Sequence, residues 1–88
     1  MGDVYLKYKI MPESAEINPE DFIPKVEEIA KKYGKLHGTN VQPIAFGLKA
    51  LIVEMIVPDT GGIVDKIEEE LKSIEKVGQV ECETVTLV

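Results

Sequence analysis

His37 is the only histidine and Cys82 the only cysteine, so a nucleophile–base pair would have to be built from these two residues. Neither has an evident partner nearby in sequence. The plainer reading makes Cys82 a small core residue of the last strand and His37 a partly exposed group at a strand start. A zinc site needs four soft ligands when structural and three when catalytic, which one thiol and one imidazole do not supply. Glu81, Cys82 and Glu83 are consecutive, so on a strand they point to alternate faces and cannot converge on one ion. No metal or other cofactor is expected.

The carboxylates are patterned for solvent. Glu27 with Lys31, Glu28 with Lys32, and Glu68 with Lys72 lie four apart with the acid first, the order that surface helix pairs prefer. Acid–base chemistry would need carboxyls held in an enclosed pocket, and nothing here suggests one. Asp59-Thr60-Gly61-Gly62 opens a helix whose free amides could bind an anion. It lacks the Gly-Lys-Ser/Thr ending of a phosphate-binding loop, and a turn with a helix start accounts for it.

These residues are positioned by a simple run of elements. Val4, Leu6, Tyr8 and Ile10 alternate with Tyr5, Lys7, Lys9 and Met11, which predicts a half-buried strand over 3–11. Asn18 and Pro19 read as helix N-cap and first helical residue. Pro24 conflicts with a regular helix from Pro19, so a loose first turn is expected and a regular helix from Ile23 or Pro24. Val26, Ile29, Ala30 and Tyr33 form its apolar stripe, and Gly34 stops it.

Strands are expected over 36–44 and 48–57. In the second of these Leu51, Val53, Met55 and Val57 share a face, while Ala50, Ile52 and Ile56 make the other face apolar too, as in a central strand. Val64, Ile67, Leu71 and Ile74 then repeat at helical spacing. A last strand over about 79–87 is supported by its Val and Thr content, though its alternation is less clear.

The resulting order, β-α-β-β-α-β, predicts an α+β ferredoxin-like sandwich: a four-stranded antiparallel sheet with two helices on one face. Eighty-eight residues, 44% hydrophobic and 30% charged, predict one domain over 1–88 with no linker or repeat. No apolar run approaches the roughly 20 residues that span a bilayer. The N-terminus lacks a basic region followed by an apolar core. With a lone cysteine, these features read as cytoplasmic.

The net charge is −6 and all ten basic residues are lysines, which argues against nucleic-acid binding. Acidity fits a basic partner or plain solubility equally well. The missing arginine also weighs against the phosphate cradle of acylphosphatases. The missing Cys-x-x-Cys pair weighs against copper chaperones. Tyr5, Tyr8 and Phe46 do not reproduce the strand motifs of RNA-recognition domains.

One segment remains, Pro43-Ile44-Ala45-Phe46-Gly47-Leu48-Lys49-Ala50-Leu51. It predicts a hairpin with a large aromatic residue at its corner. Two readings stand on the residues alone: Phe46 folds back on the sheet edge with Gly47 serving the turn, or a partner covers it.

The segment resembles the Pro-x-Gly/Ala-aromatic-Gly-Ile/Leu-Lys-x-Leu signature of the guanine-nucleotide exchange domain of translation elongation factor 1-beta. Val57-Pro58-Asp59 resembles the family's acidic turn. The short chain, beginning directly with its first strand, is similar to the archaeal form, which is the exchange domain alone. The resemblance implies a protein without bond chemistry that binds the GTPase elongation factor 1-alpha and speeds GDP release. It implies that Phe46 inserts against the partner's GTPase domain, that Gly47 shapes the turn, that Lys49 pairs with an acidic group, and that Ala45 belongs with them to the partner-binding surface. Eukaryotic members place a lysine next to last, near the partner's magnesium. Aligned without a gap, this chain has Leu87 there, followed by Val88, so only apolar contact is implied. No membrane or direct nucleic-acid partner is expected, and a monomer is expected outside the complex. The alternative is a ferredoxin-like small-molecule-binding regulatory domain using the Asp59–Gly62 corner.

Overall fold

The alternation that opens the chain is realised as strand β1, Asp3–Pro12, in the computed structural model, which describes residues 2–45 and 47–88. Val4, Leu6, Tyr8 and Ile10 are buried on one face, and Tyr5, Lys7, Lys9 and Met11 are half-buried on the other. A 3-10 turn, Pro19–Phe22, leads into helix α1, Ile23–Tyr33. Asn18 caps that turn, its side-chain oxygen accepting the Glu20 amide at 3.1 Å. Pro24 falls within the first turn of α1, where its missing N–H removes no helical bond. The irregular entry expected from the two prolines is therefore present.

Gly34 ends α1, and the reason is spatial. Its φ of −177° is extended backbone that any residue adopts. A Cβ at this position, however, would stand 2.4 Å from the Ile56 carbonyl oxygen and 2.8 Å from Val57 Cα. Only glycine lets the helix end pass this close to the sheet.

Strands β2, Lys35–Pro43, and β3, Lys49–Pro58, form a hairpin, followed by helix α2, Ile63–Lys72, and strand β4, Val77–Leu87. The sheet order is β2-β3-β1-β4 and every pairing is antiparallel. Val26, Ile29 and Ala30 of α1 and Ile67 and Leu71 of α2 share one core with the inward faces of β1 and β3. This is the ferredoxin-like α+β sandwich. Each fully buried Leu, Ile or Val contributes about 1.5–3 kcal/mol.

Central β3 is apolar on both faces, as its sequence predicts. Leu51, Val53, Met55 and Val57 face the helices, yet Ala50 and Ile52 are buried on the opposite side. Lys9 and Asn40 flank Ile52 in register. Edge strand β4 contrasts: none of its residues is buried. A register shift pairs Lys7 with Thr84 and Tyr8 with Cys82, leaving Glu83 without a partner. Such a bulge turns one extra residue out of the alternation, which is why the β4 sequence reads less cleanly than β1.

Candidate functional site

The bulges and the sheet order separate the residues with chemical potential. A register shift between Leu36 and Gly38 leaves His37 unpaired on β2. His37 lies exposed, with Nε2 3.9 Å from Glu54 and its ring edge-on to Tyr5. Cys82 is on β4, the opposite edge. Three strand spacings of about 4.8 Å separate the two edges, so the cysteine–histidine pair does not exist. The expectation that Cys82 is a core residue is corrected: it is exposed, because an edge strand has a neighbour on one side only. Burial of its sulfur and then the Glu68 carboxylate push the thiol pKa up, which keeps it protonated and a poor nucleophile. Among the described residues no group of three or more metal-ligating side chains is assembled. No described helix is long and apolar enough to cross a membrane.

The surface ion pairs also differ from the expected spacing. Lys32 does not turn to Glu28; it donates to the Glu70 carboxylate at 3.1 and 3.2 Å, across the two helices. The Tyr33 hydroxyl donates to the same carboxylate. These two donors, Tyr33 first, hold the Glu70 pKa below the ordinary carboxylate value. Lys25 pairs with Glu28 at 3.7 Å, three residues on. Helix-to-helix geometry wins over local spacing because Glu70 offers Lys32 a partner that Tyr33 already orients. The arrangement clamps α1 to α2.

Five large apolar side chains stay exposed among the described residues: Ile44, Leu48, Val85, Leu87 and Val88. They fall in two places. Ile44 and Leu48 flank the tip of the β2–β3 hairpin. Here the Leu48 amide donates to the Ala45 carbonyl and the Ile44 amide to the Leu48 carbonyl, both at 2.8 Å. Gly47 has a φ of +80°, a left-handed conformation that glycine adopts without steric cost. Ala45 and Gly47 are exposed at this turn, and Lys49, the first residue of β3, is exposed beside it. The expectation for Phe46 lies outside the described residues.

Val85, Leu87 and Val88 form the second group, at the end of β4. Leu87 is 71% and Val88 68% exposed, and the Val88 amide donates to the Asp3 carbonyl at 2.9 Å. Leu87 lies opposite Val4, whereas Lys49 lies two residues beyond the level of Ile10. Eight strand steps of 3.3 Å place the two groups about 26 Å apart, in a molecule whose longest extent is 42 Å. The structure thus brings Ala45, Gly47 and Lys49 together and holds Leu87 and Val88 at the other end.

Beside the hairpin turn, Glu16, Asn18, Pro19 and Glu20 line a depression of about 310 Å³ together with Val41, Gly47 and Lys49. Nothing local in the sequence links this loop to a turn some 30 residues away. The juxtaposition follows from β1 and β3 being neighbours, which returns the hairpin to the end of the sheet where β1 stops.

The sequence matches the EF-1 guanine nucleotide exchange domain over residues 5–88. Elongation factor 1-beta of Archaeoglobus fulgidus is 35% identical over 88 residues, covering 100% of both chains. That of Methanosarcina acetivorans is 44% identical over 82 residues, covering 92% of each. Among solved structures, the ACT domain of a GTP pyrophosphokinase from Chlorobium tepidum superposes with a TM-score of 0.63 at 13% identity, covering 92% of this chain and 99% of that one. This likeness shows the fold alone. By match length and by identity to its relatives, the chain belongs to the EF-1 guanine nucleotide exchange domain family.

Proposed function

We infer that this chain promotes GDP release from elongation factor 1-alpha during translation elongation, and that it does so by binding, without making or breaking covalent bonds. One observation carries the mechanism: the exposed large apolar side chains lie at the hairpin turn and at the end of β4, about 26 Å apart by strand rise. Isolated exposed apolar residues are ordinary, but grouped ones mark surfaces that a partner covers.

An exchange factor must bind the open, nucleotide-free partner more tightly than the GDP-bound one. A thousandfold faster release corresponds to about 4 kcal/mol of differential stabilisation. Burying two or three side chains of leucine size is sufficient, at about 1.5–3 kcal/mol each. In this reading the hairpin turn and the β4 end touch separate parts of the GTPase. Contacts made at both ends only in the open state would pull GDP release forward. Phe46, which the family signature places between Ala45 and Gly47, acts as the hairpin's anchor, and Lys49 pairs with a carboxylate of the partner. Leu87 and Val88 contribute apolar contact. The regulatory-domain alternative has no comparable support, since the likeness to an ACT domain concerns fold only.

The test is the release of a fluorescent GDP analogue from elongation factor 1-alpha. Acceleration that saturates with added protein is expected, and an unchanged release rate at saturating protein would overturn the assignment.

A further inference from the structure

We propose that the last stretch of β4, residues 84–87, is an open strand edge onto which an extended segment of the GTPase partner pairs as an added strand. The proposal rests on the exchange reading above, and adds a backbone-to-backbone contact to the apolar one assigned there to Leu87 and Val88.

The register shows which backbone groups are free. Val88 donates its amide to the Asp3 carbonyl at 2.9 Å, so Asp3 and Val88 form a hydrogen-bonded pair. Along an antiparallel ladder such pairs alternate with pairs that exchange no bond. Counting back in register, Tyr5 with Thr86 and Lys7 with Thr84 are bonded pairs, whereas Val4 with Leu87 and Leu6 with Val85 are not. The N–H and C=O groups of Val85 and Leu87 therefore point away from β1. Because β4 is an edge strand, no described strand of this chain meets them. Their side chains lie on the helix side, level with buried Leu6 and Val4, yet both remain exposed.

Exposed edges are usually blunted by bulges, charges or proline, and the rest of both edges is. Strand β2 has an irregularity at His37, with Lys35 at its start and Pro43 at its end. The first part of β4 has Glu81 and the irregularity at Glu83. Thr84-Val85-Thr86-Leu87-Val88 carries neither charge nor proline, and its register with β1 is unbroken up to Leu87. Threonine and valine also favour the extended backbone that strand addition needs. A second copy of this chain does not fit the edge. Beyond the bulge only these five residues are available for pairing, against the roughly 20–30 residues a side of a stable interface. The GTPase fits, because in the exchange reading it already covers Leu87, Val88 and the hairpin turn. Its pairing segment is extended, with apolar side chains on the face of Val85 and Leu87 and small or polar ones beside Thr84 and Thr86.

The test is amide hydrogen exchange of the isotope-labelled chain, free and bound to nucleotide-free elongation factor 1-alpha. In the free chain the Thr84 and Thr86 amides should exchange slowly and those of Val85 and Leu87 fast. In the complex the Val85 and Leu87 amides should slow by about tenfold or more. A companion measurement compares Val85→Pro with Val85→Ala in GDP-analogue release. Proline is tolerated on an edge strand where its nitrogen faces solvent, and melting temperatures control for folding. The proline variant should need about tenfold more protein than the alanine variant to reach its half-maximal release rate. If proline lowers the melting temperature, the amide exchange of the wild-type chain decides. Val85 and Leu87 amides that stay fast in a complex that forms, or equal effects of the two substitutions, would overturn the proposal while leaving exchange intact. Protection of the same amides in the free chain, growing with its concentration, would overturn it too, by placing a second copy on the edge. A wild-type chain that fails to accelerate release would overturn the exchange reading itself, a result distinct from these.

Discussion

The helix-covered middle of the sheet and its two ends use apolar side chains in opposite ways. In the middle, Leu6, Tyr8, Val53, Met55 and Leu71 are fully buried. At the ends Ile44, Leu48, Val85, Leu87 and Val88 remain in water. Burial in the middle stabilises the fold; apolar surface at the ends contributes nothing until something covers it. On the proposed reading, the difference houses stability and exchange in separate residues, which would make them separable by mutation.

The largest expected effect lies in the middle. Leu71→Ala removes a fully buried side chain of α2 and should destabilise the domain by about 3 kcal/mol in urea unfolding. The folded fraction should still accelerate GDP release at the wild-type rate per molecule. A loss of exchange beyond the unfolded fraction would break the separation. At the hairpin end, Phe46→Ala should lower exchange by about a hundredfold, the range of an interface hot spot. Its urea midpoint should stay unchanged, and an unfolded variant would make Phe46 a core residue after all.

Leu87→Ala, at the other end, should cost about tenfold in exchange, matching the apolar area it removes. Because the two ends lie well beyond 10 Å apart, the effects of Phe46→Ala and Leu87→Ala should add in free energy. Strong non-additivity would mean that the ends share one contact site.

Two smaller changes sharpen the picture of the middle. The Tyr8 hydroxyl is buried without a hydrogen-bond partner among the described residues. Burial first, then nearby Cys82, Glu68 and Asp65, raise its pKa. Tyr8→Phe should therefore stabilise the fold by about 1 kcal/mol, because it removes an unsatisfied polar group. A destabilised Phe variant would reveal a partner for that hydroxyl.

Glu70, whose pKa is lowered by Tyr33 and Lys32, contributes stability that is complete above the ordinary carboxylate range. That contribution is lost as pH falls through the lowered value. Glu70→Gln should thus cost only about 0.5 kcal/mol at neutral pH, as partly exposed pairs do. The gap to wild type should close as pH falls through that lowered value. Exchange by this variant should not change.

Much of this architecture is legible in the sequence, and the reasons are local. The two-residue period of β1 and the helical spacing of Val26, Ile29 and Ala30 reflect faces that must be buried. Asn18, Pro19 and Pro24 restrict the backbone wherever they stand, so the irregular start of α1 could be read before any fold was known. Gly47 likewise marks a turn because its φ of +80° is unfavourable for other residues. Where the sequence misleads, long-range geometry is the cause. Lys32 has a carboxylate four residues away, yet pairs with Glu70. Cys82 looks like a core residue, yet the sheet order puts it on an uncovered edge.

The sequence by itself determined the element types, the apolar faces and the hairpin turn, because periodicity and backbone restriction act within a few residues. Only the tertiary structure decided that the hairpin turn and Leu87 stand at opposite ends, and that Glu16 and Glu20 flank the turn. Those relations depend on strand order and register, which are set by burying all the apolar faces at once rather than by any one segment.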